Sequence, residues 1–260
     1  MNVNYLYSLL AVIILGLIAY AGTEGAGLAW LFGVVIPYLA LLIFIIGFAN
    51  RVWGWAKSPV PFRIPTTAGQ QKTLDWIKTS PLDNPSSRLG VIGRMLLEIL
   101  LFRSLFRNSR VEIVGERLSY KWVIWLWLFA ILFHYAFLVV VIRHLRFFMD
   151  PIPMAVSLID KADSIFQVGI PVVYQSGVVL FAMATLLLLR RVLLPRLNYI
   201  SRAADYFPLF LIIGIAFTGI VMRYFAKINV VSAKELAMGL ATFNPTIPEI
   251  PIGGIFYAHL

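Results

Sequence analysis

The sequence predicts an all-α membrane protein, a bundle of five complete transmembrane helices followed by the start of a sixth. Of its 260 residues, 60% are hydrophobic and only 13% are charged, and the mean hydropathy is +0.86. Soluble domains average about 45–50% apolar and about 25% charged residues, so this composition indicates an integral membrane protein. Five apolar runs also approach the roughly 20 residues that a helix needs to cross a bilayer.

The five runs define the predicted helices in chain order. They are Tyr5–Ala21, Leu28–Ala49, Lys121–Phe147, Ile170–Leu194 and Tyr206–Phe225. Pro37 interrupts the second run, and we expect neighbouring helices to satisfy the carbonyl that it frees. An apolar pattern resumes at Ile252 and reaches only Leu260. We interpret it as the first turns of a sixth span in a truncated chain, and the alternative is a short capping segment. The first run has no basic residue before it and is typical of a retained signal anchor.

The apolar runs divide the chain into three predicted regions. Residues 1–49 carry two spans, residues 50–120 form a long polar loop, and residues 121–260 carry the remaining spans. Within the loop, Leu89–Phe106 is apolar except for Arg94, Glu98 and Arg103, which fall on one side at helical spacing. This pattern predicts an amphipathic helix that lies on the membrane surface or against a partner.

The distribution of basic residues predicts the orientation of the bundle. Twelve of the 22 Lys and Arg residues lie in 50–121, and four more lie at the end of the fourth span and in the connection to the fifth. Basic residues of membrane proteins collect in cytoplasmic loops, so these regions and the N-terminus are expected to be cytoplasmic. The net charge of +10 therefore predicts topology in the cell inner (plasma) membrane and not nucleic-acid binding.

Two of the three histidines lie in the third span. His134 and His144 are ten residues apart, so they are about 15 Å apart along a helix axis and about 80° apart around it. Ionisable side chains are costly in hydrocarbon and usually have a function there. Neutral imidazole is a common metal ligand, and two histidines at different depths suit axial ligation of two haem irons. His259, at the outer end of the predicted sixth span, matches the depth of His144.

The neighbouring residues leave alternatives open. Arg143 and Arg146 flank His144, where their guanidinium groups are suited to haem propionates or simply anchor the helix end at the interface. His134 and His144 also fit a polar contact between helices and an interfacial anchor, respectively. The chain has no cysteine, which excludes disulfides, thiolate-ligated iron–sulfur clusters and c-type haem attachment within it.

The H-x9-H pattern in LWLFAILFHYAFLVVVIRHLRFF resembles the haem-carrying helix of respiratory nitrate reductase gamma subunits. Residues 62–108 and 190–231 are similar to a narrower family, the DsrM cytochrome b subunits of the DsrMKJOP complexes of sulfite-reducing and sulfur-oxidising prokaryotes. The similarity extends from about Arg51 to the end of the chain.

The resemblance implies two b haems, with His134, His144 and His259 as iron ligands. It also implies exchange with menaquinone or ubiquinone near the outer haem. The implied partners are a cytoplasmic iron–sulfur subunit of the heterodisulfide-reductase-like (DsrK-like) type, a periplasmic multihaem cytochrome c, and a second membrane subunit with its ferredoxin. The family's last histidine would lie beyond Leu260, so this sequence contains both ligands of the outer haem only.

The sequence therefore predicts a membrane-anchored dihaem b-type cytochrome that transfers electrons between quinone and an iron–sulfur partner in sulfur metabolism. It would be the quinol- or quinone-reactive subunit of an oxidoreductase complex. The alternatives are the gamma subunit of a nitrate-reductase-type complex, a haem-free transporter that uses the histidines as a proton relay, and a structural membrane anchor. No catalytic triad, nucleotide loop or hydrolytic metal motif is recognised.

Overall fold

The computed structural model describes residues 3–59, 72, 74–164 and 173–260. Five of its helices are long and apolar enough to cross a membrane, which confirms the predicted number of spans. They are Asn4–Glu24, Leu31–Ala56, Ile124–Phe147, Gln175–Leu193 and Ala203–Ala226. The predicted start of the fourth span at Ile170 lies outside the described residues.

The described helices and strands are given by their bounds in chain order. They are α1 (Asn4–Glu24), α2 (Ile36–Ala56), α3 (Arg88–Leu101), α4 (Arg103–Phe106), β1 (Ser109–Val114), β2 (Arg117–Trp122), α5 (Ile124–His144), α6 (Met154–Asp163), α7 (Gln175–Leu193), α8 (Pro195–Ile200), α9 (Ala203–Val221), α10 (Val230–Ala241) and α11 (Gly254–His259). Short π-helical segments precede α2 at Leu31–Val35 and follow α9 at Met222–Ala226, and a 3₁₀ turn, Leu145–Phe147, follows α5.

The chain divides into two compact units. Unit one contains Met1–Phe44 and Leu132–Leu260, and unit two contains Ile45–Ile131. In unit one, α1 packs against α9 and α11, and α9 also packs against α7. The Ser8 hydroxyl donates to the Ala203 carbonyl at 2.6 Å, so a polar group of α1 is satisfied where the two helices meet.

A π-helical segment lies immediately before Pro37. Proline has no N–H to donate and clashes with the preceding turn of a regular α-helix. A π-helical turn widens the backbone at such points, and the helix continues through Pro37 to Ala56. The second span thus continues through Pro37, and satisfaction of the freed carbonyl by neighbouring helices stays a prediction.

The core of unit one contains two elements that the sequence did not predict to be helical. The chain connecting α9 to α11 forms α10, and Leu236 of α10 is fully buried against Val34, Ile252 and Tyr257. The connection after α5 contains α6. At 12 and 10 residues these helices are too short to appear as spans.

Unit two contains a β-hairpin that the sequence did not predict. β1 and β2 pair antiparallel with Val114 opposite Arg117, which leaves Gly115 and Glu116 as a two-residue turn. Gly115 has φ of +65°, the conformation that such turns require and that glycine adopts without strain. Because β2 extends to Trp122, the third span begins at Ile124 and not at Lys121.

The predicted amphipathic helix Leu89–Phe106 is present but broken. Phe102 adopts a left-handed conformation with φ of +50°, which ends α3 and starts α4. The Glu98 carboxylate accepts hydrogen bonds from the backbone N–H and the hydroxyl of Ser104 across this break, at 3.0 and 2.6 Å. Leu89 and Ile99 are 83% and 62% exposed, so an apolar face is presented outward, and its contact with a membrane or partner stays a prediction.

The charges of this helix converge on Asp83. The Asp83 carboxylate accepts from Arg103 and Arg107 at 2.7 Å each and from Arg94 at 3.1 Å. Arg94 also pairs with Glu98 at 2.9 Å, as expected for residues four apart on a helix. Hydrogen bonds from Arg103 and then from Ser80 hold the pKa of Asp83 well below its usual range.

We expect Asp83→Asn to loosen α3 and α4, because three arginines lose their shared carboxylate and repel one another. Amide hydrogen exchange over residues 88–106 should become faster in the variant. The protection of these amides relative to their intrinsic exchange rates should also weaken in the wild type as pH falls below about 4, because a carboxyl with a lowered folded-state pKa loses its stabilising effect on protonation.

Asp75→Asn is the control, since among the described residues Asp75 pairs with Lys72 alone, on the surface, where its side chain is 89% exposed. Equal exchange in Asp83→Asn and Asp75→Asn would show that the arginine cluster does not hold this segment.

Candidate functional site

His144 and His259 lie close together at one end of unit one. His144 is the last residue of α5 and His259 is the last residue of α11. The centroids of their imidazole rings are 6.4 Å apart and the ring planes differ by 23°. The sequence placed these two residues at the same depth, and the structure brings their rings together. We call this end, where α1, α5 and α9 finish and α11 begins, the distal end.

Hydrogen bonds at Nδ1 determine which nitrogen each ring presents. His144 Nδ1 lies 2.7 Å from the Val140 carbonyl oxygen, which can only accept, so Nδ1 carries the hydrogen. His259 Nδ1 lies 3.0 Å from the Thr218 hydroxyl oxygen. That hydroxyl also lies 2.8 Å from the Gly214 carbonyl and 3.0 Å from the Ile215 carbonyl, so it can donate to its own helix and accept from a protonated Nδ1 of His259. With both Nδ1 atoms protonated, Nε2 is the nitrogen with a lone pair in each ring.

This arrangement is typical of metal-binding histidines. A ligating imidazole usually donates its second ring N–H to a carbonyl or another acceptor, which fixes the tautomer and the ring orientation. A metal–imidazole nitrogen bond is about 2 Å long, and the ring centre lies about 1 Å further, so two rings on opposite sides of one ion are about 6 Å apart. The observed 6.4 Å fits one metal ion between the rings.

The number of protein ligands also fits a haem iron. Across the described ranges, no group of three or more His, Cys, Asp or Glu side chains is placed to hold a metal ion. Two opposed imidazoles supply only two donors. A porphyrin supplies the remaining four to its iron, with the protein contributing the axial positions.

Gly219 permits His259 to reach its position beside α9. A Cβ atom built on Gly219 would lie 3.2 Å from Cε1 of His259, closer than ordinary packing contacts. Thr218, the preceding residue, supplies the hydroxyl that binds the ring. Neither residue was predicted from the sequence to belong to the site, because small and hydroxyl residues are common between membrane helices.

His134 lies ten residues before His144 on α5. Its side chain is exposed in unit one. Its ring is 5.1 Å from that of Phe133, at an interplanar angle of 86°. His134 therefore lies at a different level from the pair formed by His144 and His259.

The Arg143 guanidinium binds carboxylates of the protein itself. Arg143 is 7% exposed, and its guanidinium donates to Asp163 at 2.7 Å and to Asp160 at 3.2 Å. Arg146 is half-buried and donates to Asp160 at 3.2 Å. The sequence predicted haem propionates or membrane anchoring for both arginines. It missed Asp160 and Asp163 because these lie in the connection after α5, which was not predicted to form α6.

Asp163 links three elements at the distal end. Besides Arg143, it binds Ser176 at the start of α7, accepting from the backbone N–H at 2.7 Å and from the hydroxyl at 2.5 Å. The ring of Tyr174 lies 3.2 Å from Cζ of Arg143 and 4.2 Å from Cζ of Arg223. A buried ionic and aromatic cluster thus fastens α6 and α7 to the end of α5, next to His144.

Comparison with known proteins identifies the relatives of the chain. The sequence model of a family described as "Nitrate reductase gamma subunit" matches residues 99–248, which include His134 and His144. A protein of Archaeoglobus fulgidus, described as "Hdr-like menaquinol oxidoreductase cytochrome b-like subunit", is 47% identical over 235 residues, 88% of this chain and 70% of the relative. A protein of Archaeoglobus profundus with the same description is 40% identical over 221 residues, 83% of this chain and 65% of the relative. No solved structure matches significantly.

We expect Asp163→Asn to destabilise unit one by about 3–5 kcal/mol, because it leaves the buried Arg143 charge without its closest partner. The measurement is the free energy of unfolding in SDS titrations. Asp150→Asn removes a carboxylate that is 71% exposed and pairs with Lys234 at 3.4 Å, so it should change the free energy by less than about 1 kcal/mol. A loss of similar size in both variants would contradict the assignment.

Proposed function

The chain belongs to the nitrate reductase gamma subunit family, and we propose that it is the b-type cytochrome subunit of a membrane complex that oxidises menaquinol. In this proposal electrons pass from quinol to haem held by the chain and then to a cytoplasmic iron–sulfur partner. The names of the two archaeal relatives support the menaquinol substrate and a heterodisulfide-reductase-like partner.

The paired rings of His144 and His259 are the observation that carries the proposal. Their separation of 6.4 Å and the hydrogen bonds at both Nδ1 atoms fit axial ligation through Nε2. When bound there, haem supplies reversible one-electron chemistry. The chain holds the two rings close together and pairs Arg143 with the carboxylates of Asp160 and Asp163 on α6.

A second b haem would be ligated by His134, one level below on α5. Ten residues of helix separate the two levels by about 15 Å, a suitable spacing for electron transfer between stacked cofactors. Arg146 is the better candidate for a haem propionate, because Arg143 is buried and bound to Asp163. Arg143 would then act mainly by holding the end of α5 beside the haem.

The orientation and the physiological partners complete the proposal. The distal end would face the outside of the inner (plasma) membrane, with the basic residues of 50–121 and the N-terminus in the cytoplasm. The resemblance to DsrM supports a role in sulfur metabolism with a DsrK-like iron–sulfur subunit, a periplasmic multihaem cytochrome c and further membrane and ferredoxin subunits. A nitrate-reductase-type partner is the alternative within the same family.

A reduced-minus-oxidised absorption spectrum of the purified protein tests the proposal. We expect a b-type α-band, and we expect His144→Ala and His259→Ala to remove the same component because each takes one axial ligand from one iron. His134→Ala is the matched control, since it should spare that component. The absence of an α-band, or one unchanged in the His144 and His259 variants, would favour a haem-free transporter or anchor.

Gly219→Ala should disturb the same component without removing a ligand. The added Cβ would press on Cε1 of His259 and tilt the ring, so we expect altered low-spin ferric g-values in electron paramagnetic resonance, or lower haem content. Gly177→Ala is the control, because a Cβ on this α7 residue meets nothing within 4 Å. Identical spectra for both variants would show that α9 does not position His259.

A further inference from the structure

A partly open cavity of about 350 Å³ lies at the distal end of unit one. It is formed by the end of α1, the turn after α9 and the start of α11. Ligand pockets of proteins typically span about 300–1,000 Å³ and combine apolar walls with a few polar groups. Here Ile228, Ile252 and Ile255 supply apolar surface, and Glu24 and Lys227 supply opposite charges.

Glu24 is held in place by the backbone of α11. It is the last residue of α1, and one carboxylate oxygen, Oε1, accepts a hydrogen bond from the Gly254 N–H. A Cβ on Gly254 would lie 2.6 Å from Cγ of Glu24 and 3.0 Å from the Tyr20 ring, so the approach requires glycine. Within the described part of the chain, no donor binds the second carboxylate oxygen, and the side chain is exposed enough to exchange protons with solvent.

The other polar residues of the cavity have distinct roles. Asn229 caps α10, accepting from the N–H groups of Val231 and Ser232, so its side-chain oxygen is already engaged. Tyr20 and Lys227 are the remaining titratable groups of the lining beside Glu24. An ammonium group at the wall stabilises negative charge that develops on a bound oxygen, and a carboxylate can accept the proton that leaves it.

The cavity is close to the paired histidines. Gly254 begins α11 and His259 ends it, five residues later, which corresponds to about 7.5 Å along the helix axis. A flat aromatic diol bound in the cavity would therefore lie within short reach of an iron held by His144 and His259.

We propose that this cavity binds the headgroup of the quinol and that the Glu24 carboxylate accepts its first hydroxyl proton. The proposal rests on the proposed function, which supplies the oxidant. Oxidation of one quinol breaks two O–H bonds and releases two protons and two electrons. A b-type haem held by His144 and His259 would take up these electrons one at a time. The first proton goes to Glu24 and then to the outer solvent, and the second goes to water at the cavity mouth.

Glu24→Gln in the intact complex tests the role of the carboxylate. Glutamine keeps an oxygen that accepts from Gly254 N–H, so the contact between α1 and α11 is preserved, but it cannot take up a proton. We expect kcat for oxidation of a soluble menaquinol analogue to fall on the order of 100-fold, with KM changed less than about threefold. The dithionite-reduced b-type spectrum should be unchanged.

Glu235→Gln is the matched control, because it makes the same change at an exposed carboxylate on α10 outside the cavity lining. It should leave both kcat and KM at wild-type values. Ile255→Trp fills the apolar side of the cavity and should raise KM at least tenfold with the b-type spectrum retained.

Three results would overturn the proposal. The first is a wild-type kcat in Glu24→Gln. The second is loss of the dithionite-reduced spectrum in that variant, which would show that Glu24 has a purely structural role. The third is an unchanged KM in Ile255→Trp. Failure of the proposed function is distinguishable, because wild-type protein would then show no b-type spectrum at all.

Discussion

Two hydrogen bonds at Nδ1, from His144 to Val140 and from His259 to Thr218, determine what the distal end can do. An imidazole in a low-dielectric environment must satisfy its N–H, because an unpaired buried donor is costly. Once Nδ1 is satisfied by the protein, Nε2 keeps its lone pair and the ring is fixed in direction. The spacing of the two rings, and therefore the proposed cofactor site, depends on both acceptors.

The rest of the distal end supports these two residues from opposite sides. On one side, Asp163 binds Arg143 and the start of α7, which fixes the end of α5 just before His144. On the other side, the Glu24 carboxylate binds the first turn of α11, which ends at His259. Each imidazole therefore lies on a helix that a charged residue binds: Asp163 binds α5 through Arg143, and Glu24 binds α11 through the Gly254 N–H. In the proposed function these contacts serve both cofactor geometry and proton release.

The sequence predicted much of the fold, because span length and hydrophobicity are local properties. It also predicted that His144 and His259 share a depth. It missed α6 and α10, which are short, and the β-hairpin, whose alternating pattern was interpreted as loop. The partners of Arg143 and the contact of Gly219 with His259 were not predictable, since they depend on how distant helices approach one another. The cavity beside Glu24 was not predictable for the same reason, because α1 and α11, which help to form it, are far apart in the sequence.

The location of the two rings in the chain has a thermodynamic consequence. His144 and His259 belong to separate helices, so a ligand that bridges them closes a loop of about 115 residues. That closure costs conformational entropy, which the unligated chain regains whenever it opens. A cofactor bound only by the folded arrangement stabilises it by mass action, in proportion to the logarithm of its free concentration over its dissociation constant. Loading of the site and consolidation of α11 against α5 and α9 would then be one coupled equilibrium, and cofactor supply would set how much of the protein survives proteolysis in the cell.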